Sequence, residues 1–148
     1  MGLESHQVGS KMIVVDANVL VYSLVDNQRS GLTRKLFEKN PIWKFPVLWK
    51  FEVGNALTLM VRQNELTAKT AAGVLDTASK IFLSGETDVD ADLAFKLSLD
   101  RKITFYDAQY LALAHTLNVT LVTEDKALRK ASHGKAVSLE EFLNNDET

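Results

Sequence analysis

The sequence predicts an α/β fold, arranged as a three-layer α/β/α sandwich around a mainly parallel sheet. Short apolar runs rich in β-branched residues alternate with segments of helical periodicity along the 148 residues. Parallel strands need helical crossovers of this kind between them. The length is that of one ordinary domain, and the sequence has no internal repeat and no break in composition. A single domain is therefore expected.

The predicted strands are short, because polar residues or helix breakers bound each apolar run. The first run ends at Asp16, and the second lies between two breakers, Pro41 and Pro46. Strands are therefore expected over Met12–Val15, Ile42–Phe45, Gly85–Val89, Val119–Val122 and Ala136–Val137.

The predicted helices follow from apolar spacing and from residues typical of helix ends. The clearest apolar stripe runs from Val53 to Val61 at positions i, i+3, i+4, i+7 and i+8, and Pro46 is expected in the first turn of that helix. Thr67 and Asp90 are candidate N-caps, and Asn118 is a candidate terminator. Helices are expected over Ala17–Val25, Leu32–Glu38, Pro46 to Asn64, Thr67–Leu83, Asp90 to Leu99, Ala108–Leu117, Glu124–Ala131 and Leu139–Leu143.

The two ends of the chain are assigned separately from the domain, which is expected over residues 12–143. Residues 1–11 are polar and aperiodic, so they are interpreted as a leader or an added extension without a role. Residues 144–148 are expected to form an acidic tail. No apolar run approaches the roughly 18 residues of a membrane-spanning helix. The expected location is the cytoplasm, without a membrane partner.

Composition excludes several functional classes. The absence of cysteine excludes disulfide scaffolds, cysteine-ligated zinc and cysteine nucleophiles. Phosphate-binding glycine loops and a GxSxG nucleophile elbow are also missing, and the three histidines have no ligand spacing. The net charge of −2 argues against a binder that relies on a broadly basic surface.

Four acidic residues occupy positions where a carboxylate is costly. Asp16 and Asp125 come just after predicted strands, at the sheet edge where ligands bind in open α/β folds. Glu52 and Asp107 border the apolar faces of predicted helices. Each acid alone is equally well explained as a helix cap or a solvated side chain.

Taken together, the four acids favour a metal site. Carboxylates that converge in a desolvated cleft repel one another, and a hard divalent cation relieves this repulsion. Oxygen ligands without histidine or cysteine favour Mg²⁺ or Mn²⁺ over zinc. Such ions support the hydrolysis of phosphodiesters.

Four segments of the sequence resemble the motifs of PIN-domain nucleases, and most closely those of VapC-type toxin ribonucleases. The resemblance extends from about Met12 to Leu143, and the four motifs occur in the family's order and at ordinary spacings. Each segment contains one of the four acids. The segments are IVVDANVLVY, LWKFEVGNAL, ITFYDAQYLALA and TLVTEDKAL.

The resemblance implies a PIN domain with Mg²⁺- or Mn²⁺-dependent endoribonuclease activity. It also implies a homodimer and a cognate antitoxin protein that covers the acidic site. Asp16, Glu52 and Asp107 would be the main metal ligands and Asp125 a more variable one. Asn18 and Thr123 would orient waters or neighbouring carboxylates. Glu124 is an alternative to Asp125, which is favoured because the motif has its acid two residues after the threonine.

Two segments are candidates for RNA contacts. Residues 29–50 contain six basic residues and one acid, and residues 126–135 contain four basic residues and no acid. For the aromatic residues Trp43, Trp49 and Phe51, packing in the core or a dimer interface is expected rather than base stacking. The basic side chains nearest the proposed ligands are Lys50, Lys126, Arg129 and Lys130.

Two alternatives to a toxin remain open. One is a housekeeping RNA-processing nuclease with the same catalytic acids. The other is a non-catalytic α/β binding module whose acids only cap helices, and whose melting temperature would not respond to Mg²⁺ or Mn²⁺.

Overall fold

A computed structural model describes residues 11–146 of the chain. The described part contains a five-stranded sheet in which all pairings are parallel and the strand order is β3-β2-β1-β4-β5. The predicted α/β fold is therefore confirmed. The strands are β1 (Met12–Val15), β2 (Ile42–Pro46), β3 (Glu86–Thr87), β4 (Leu121–Val122) and β5 (Ala136–Val137).

Helices connect these strands throughout the described residues. Crossovers between parallel strands are right-handed as a rule, and with this strand order the rule puts the helices between β1 and β3 on one face of the sheet and those between β3 and β5 on the other. The helices are α1 (Ala17–Leu24), α2 (Ser30–Lys39), α3 (Trp49–Arg62), α4 (Ala68–Ile81), α5 (Ala91–Arg101), α6 (Phe105–Leu117), α7 (Lys126–Ala131) and α8 (Leu139–Asp146).

The direction in which successive strands are added to the sheet reverses between β1 and β4. The chain builds outward from β1 to β3, returns to pair β4 with the other side of β1, and then adds β5. Ligands of open α/β sheets bind at such a switch point, outside the carboxyl ends of the strands. The residues that follow β1 and β4 are Asp16 and Thr123, and the backbone N–H of Asp16 donates to the carbonyl of Val122 at 3.1 Å.

The central strands are apolar because both faces of the sheet are covered. Val14, Val15, Leu121 and Val122 have no exposed surface, as expected for parallel strands between two helical layers. At the other end of the sheet, a 3₁₀ turn at Leu83–Gly85 lies directly against β2. A Cβ at position 85 would overlap the Phe45 ring and approach the Trp43 carbonyl oxygen to 2.7 Å.

Several predicted boundaries are wrong. Pro46 is the last residue of β2, and α3 begins only at Trp49, because Pro46 still pairs with Thr87 of β3. Helix α6 begins at Phe105 rather than Ala108, because Thr104 caps it. Strand β3 has two residues, since the 3₁₀ turn takes up Gly85.

Helix α8 continues through Asp146, so residues 144–146 of the predicted tail are helical. Residues 1–10, which make up most of the predicted leader, and residues 147–148 lie outside the described part of the chain. None of the helices within residues 11–146 is both long enough and apolar enough to cross a bilayer.

Candidate active site

Asp16 and Thr123 form the centre of the candidate site. Asp16 is 7% exposed and Thr123 is fully buried. The Thr123 hydroxyl donates to Asp16 Oδ2 at 2.6 Å and accepts from the backbone N–H of Asp125 at 3.0 Å. Asp16 stands at the N-cap position of α1, but its side chain makes no capping hydrogen bond. The capping explanation of Asp16 is therefore wrong, because the carboxylate is bound to Thr123 instead.

Glu52 approaches the same region from the first turn of α3. Its Oε1 atom is buried, as is the hydroxyl oxygen of Tyr110, and neither atom meets hydrogen-bond geometry with a described partner. The two side chains are nevertheless close enough to affect each other's pKa. An acceptor that is buried without a donor is costly, so this oxygen is available to an added donor or cation.

Asp107 lies in the first turn of α6, one turn before Tyr110. The N-cap of this helix is Thr104, whose hydroxyl accepts from the Asp107 backbone N–H at 3.0 Å. The capping explanation of Asp107 is therefore wrong as well. Its carboxylate is half-buried on the side of α6 that faces the core.

Asp125 and Glu124 have different roles. Asp125 Oδ1 accepts from the backbone N–H of Leu128 at 3.0 Å, so Asp125 does cap α7. Glu124 accepts from Arg29 Nε at 2.8 Å. This ion pair engages Glu124 away from the other acids, which supports Asp125 as the fourth acid of the site.

Burial and mutual repulsion raise the pKa values of three carboxyl groups. Desolvation raises the pKa of Asp16 from 3.8 to about 6; the Thr123 hydrogen bond opposes this, and the charges of Asp107 and Asp125 add to it. Desolvation also raises the pKa of Glu52; the Tyr110 hydroxyl opposes this, and the charges of Asp16 and Asp107 add to it. The pKa of Asp107 is raised by desolvation and then by Asp125. The four acids are therefore near enough to repel one another.

The acids do not form a closed cage. Within residues 11–146, no three Asp, Glu or His side chains are grouped so that they could hold a metal ion as they stand. The donor set still fits a hard cation, because the site offers a buried carboxylate, an unpaired Glu52 oxygen and pKa values raised by like charges. Mg²⁺ usually keeps several waters and needs only one or two direct carboxylates.

The remaining predicted site residues lie at the surface, with one exception. Asn18 is exposed in the first turn of α1. Lys50 and Lys126 are exposed within two residues of Glu52 and Asp125, and Lys130 is exposed on α7. The exception is Arg129, whose side chain is 22% exposed and whose guanidinium donates to the Thr123 carbonyl at 3.0 Å.

Of the three aromatic residues in β2 and α3, two are buried and one is exposed. Trp43 and Trp49 are buried, as expected. Phe51 is 77% exposed, so it does not pack in the core; packing in a dimer interface, the other expectation for this residue, stays a prediction. The first turn of α3 turns Glu52 toward the core, and Phe51, about 100° away on the helix, therefore faces outward.

Sequence reasoning overlooked Tyr110 and the ion pairs of Glu124. Tyr110 lies on the apolar face of α6, and its hydroxyl is a buried polar group on that face. A T-x-x-D capping signal at Thr104 was also present in the sequence. The partners of Glu124, by contrast, come from residues 29, 129 and 139, and no local pattern connects them.

Comparisons with known proteins show the family to which the chain is similar. The sequence profile of the PIN domain family matches residues 13–134. Ribonuclease VapC1 of Mycobacterium tuberculosis is 32% identical over 118 residues, which are 80% of this chain and 89% of that protein.

Two crystal structures share the fold. PAE2754 from Pyrobaculum aerophilum superposes with a TM-score of 0.67 at 26% identity, covering 90% of this chain and 95% of that one. FitAcB from Neisseria gonorrhoeae also gives a TM-score of 0.67, at 15% identity, covering 87% and 99%. At that identity, the second match shows likeness of fold alone.

Proposed function

The chain belongs to the PIN domain family and is homologous to VapC ribonucleases, and from this we propose that it is a Mg²⁺- or Mn²⁺-dependent endoribonuclease. The observation that carries the proposal is the buried Asp16–Thr123 pair at the switch point of the sheet, with Glu52 and Asp107 within electrostatic range. This arrangement of acids does not stabilise the folded protein, because raised carboxyl pKa values mean that the ionised forms are disfavoured in the folded state.

Asp16, Glu52 and Asp107 would hold the ion, and Asp125 would contribute from the α7 cap. When bound, the ion supplies positive charge that stabilises a phosphodiester group during hydrolysis. Thr123 fixes the Asp16 carboxylate in one orientation through the 2.6 Å hydrogen bond. Thr104, by capping α6, fixes the backbone from which Asp107 projects. The protein therefore supplies preorganised oxygen ligands on strand ends and helix turns.

RNA would approach across the exposed side chains beside these acids. Lys50 and Lys126 are exposed within two residues of Glu52 and Asp125, so they are placed to contact phosphates. Lys130 adds a third exposed cation on α7. Phe51 offers an exposed ring one residue before Glu52, and unstacked bases pack on such rings.

We further propose that the chain is the toxin of a toxin–antitoxin pair and acts as a homodimer. The homology to VapC ribonucleases supports this role. A housekeeping RNA-processing nuclease would have the same acids, so the two roles are separated in cells. Expression of a toxin arrests growth, and co-expression of a small protein encoded beside it restores growth. A housekeeping nuclease would give neither result.

The test of the activity is cleavage of a closed circular RNA in the presence of Mg²⁺ or Mn²⁺. A circle has no ends, so only an endonuclease linearises it. We expect cleavage by the parent chain, no cleavage with EDTA, and loss of activity in Asp16→Asn. Asp76→Asn, which changes an exposed acid on α4, is the matched control and should cleave normally.

Two results would contradict the proposal. Cleavage of linear but not circular RNA would indicate an exonuclease. A non-catalytic binding module would cleave neither RNA, and its melting temperature would not change with Mn²⁺.

A further inference from the structure

The turn at residues 123–125, which carries two of the site residues, is held by an ion-pair network. We propose that Arg129 and Glu124 are positioning residues, which hold Thr123 so that its hydroxyl orients Asp16. This inference rests on the proposed metal-dependent activity. It also removes Arg129 from the residues expected to contact RNA.

Every polar group of Thr123 is engaged. Its backbone N–H donates to the carbonyl of Val137 at 3.0 Å. Its hydroxyl donates to Asp16 and accepts from the Asp125 N–H. Its carbonyl accepts from Arg129 Nη1 at 3.0 Å. Because Thr123 is fully buried, the loss of Arg129 would leave that carbonyl without its donor and free the turn to rotate.

Glu124 connects the same turn to two distant parts of the chain. Besides its 2.8 Å pair with Arg29, which precedes α2, it accepts from the backbone N–H of Leu139 at the start of α8, at 3.4 Å. Arg129 lies 3.9 Å from Glu124 Oε2 and 3.9 Å from Glu141 Oε1. The turn is thus fastened to α2, α7 and α8 at once.

The exposure of the charged side chains agrees with a positioning role. The side chain of Glu124 is 15% exposed and that of Arg129 is 22% exposed, whereas Lys130, the next residue on α7, is exposed. One donor of Arg129 serves a backbone carbonyl, and two carboxylates 3.9 Å away offset its positive charge, which weakens its attraction for a phosphate. Lys130 has the same charge on the same helix, which makes it the matched comparison.

The experiment compares Arg129→Met, Arg129→Lys, Glu124→Gln and Lys130→Met. Three quantities are measured: the Mn²⁺ dissociation constant by titration calorimetry, kcat and KM on RNA, and the salt dependence of KM. Changes to groups that orient metal ligands typically weaken metal binding or activity 10- to 100-fold. Arg129 acts through Thr123, so we expect about three- to tenfold weaker Mn²⁺ binding and a similar fall in kcat for Arg129→Met, with KM unchanged.

The other variants distinguish a positioning role from a phosphate contact. Arg129→Lys should recover part of the Mn²⁺ affinity, because a lysine can still donate toward the turn. Glu124→Gln should also weaken Mn²⁺ binding. In a double variant that combines Glu124→Gln with Arg129→Met, the two effects should not multiply, because both act on one turn. Lys130→Met should instead raise KM and reduce its salt dependence, with the Mn²⁺ affinity of the parent.

Two results would overturn the inference while leaving the proposed function standing. If Arg129→Met raises KM and reduces its salt dependence while Mn²⁺ affinity is unchanged, Arg129 is a phosphate contact. If neither Mn²⁺ affinity nor kcat changes in Arg129→Met and Glu124→Gln, the network does not position the site. Circular dichroism shows whether Arg129→Met folds. If it does not fold, the same measurements on the near-isosteric Glu124→Gln decide whether the network positions the site. Failure of the parent chain to bind Mn²⁺ would refute the proposed function, and this inference with it.

Discussion

Replacing Asp16 by asparagine should stabilise the metal-free protein while abolishing its response to metal. The pKa of Asp16 is 3.8 in an ordinary setting and about 6 in the folded protein. One pKa unit corresponds to about 1.4 kcal/mol, so the ionised carboxylate lowers the free energy of unfolding by about 3 kcal/mol above pH 6. Asparagine carries no charge and keeps an oxygen for the Thr123 hydroxyl.

The sign of the pH dependence follows from the direction of the shift. The folded pKa lies above the unfolded one, so the folded state binds a proton more readily between pH 4 and pH 6. The contribution of Asp16 to stability therefore falls as pH rises through this range and is constant above it. We expect Asp16→Asn to exceed the parent by about 3 kcal/mol at pH 7.5 and by about half that at pH 5.

The assay is urea unfolding in EDTA at both pH values, with Asp76→Asn as control. His115, whose pKa is lowered by burial, changes stability with pH in the opposite direction. The difference between parent and variant is therefore the quantity to compare. Saturating Mn²⁺ should raise the stability of the parent but not that of Asp16→Asn. If Asp16→Asn is no more stable than the parent at pH 7.5 without metal, the carboxylate is not strained as its burial implies.

Three further predictions concern the neighbourhood of the site and the fold. Thr123→Val keeps the side-chain volume but removes the hydroxyl, so Mn²⁺ affinity should fall about 10- to 100-fold by calorimetry, and Thr123→Ser should restore it. Phe51→Leu should raise KM for single-stranded RNA and Phe51→Trp should not, because stacking needs a ring; equal KM values would show that no base stacks there. Gly85→Ala should lower the free energy of unfolding by about 1–3 kcal/mol in urea titrations, since its Cβ would overlap the Phe45 ring; an unchanged midpoint would mean that the turn moves freely.

Most of the fold was readable from local patterns. The apolar run Met12–Val15 and the helical stripe from Val53 to Val61 are periodic signals set by burial, so they predict β1 and α3 without any knowledge of the partners. The starts of α3 and α6 were misplaced by three residues each. Local signals at Pro46 and Asp107 are compatible with more than one boundary, and the pairing of Pro46 with β3 and the Thr104 cap decided between them.

The candidate acids were also readable, because each stands at a strand end or beside an apolar helix face. The hydrogen-bond partners of these carboxylates, however, could not be predicted from the sequence. The sequence left Asp16 and Asp107 equally explicable as caps, and only their hydrogen-bond partners excluded that explanation. The exposure of Phe51 likewise depends on which side of α3 meets the core, and this is fixed by the packing of Trp49 and Val53.

The sequence by itself determined the fold class, the four acids and the family to which the chain belongs. These depend on residue type and short-range spacing, which burial and backbone geometry constrain directly. The tertiary structure alone decided that Thr123 binds Asp16, that Tyr110 faces Glu52, and that Arg129 and Glu124 hold the turn. Asp16 and Thr123 are 107 positions apart in sequence, and they meet because β1 and β4 pair at the switch point of a parallel sheet. Contacts of that separation follow from topology, which no local pattern specifies.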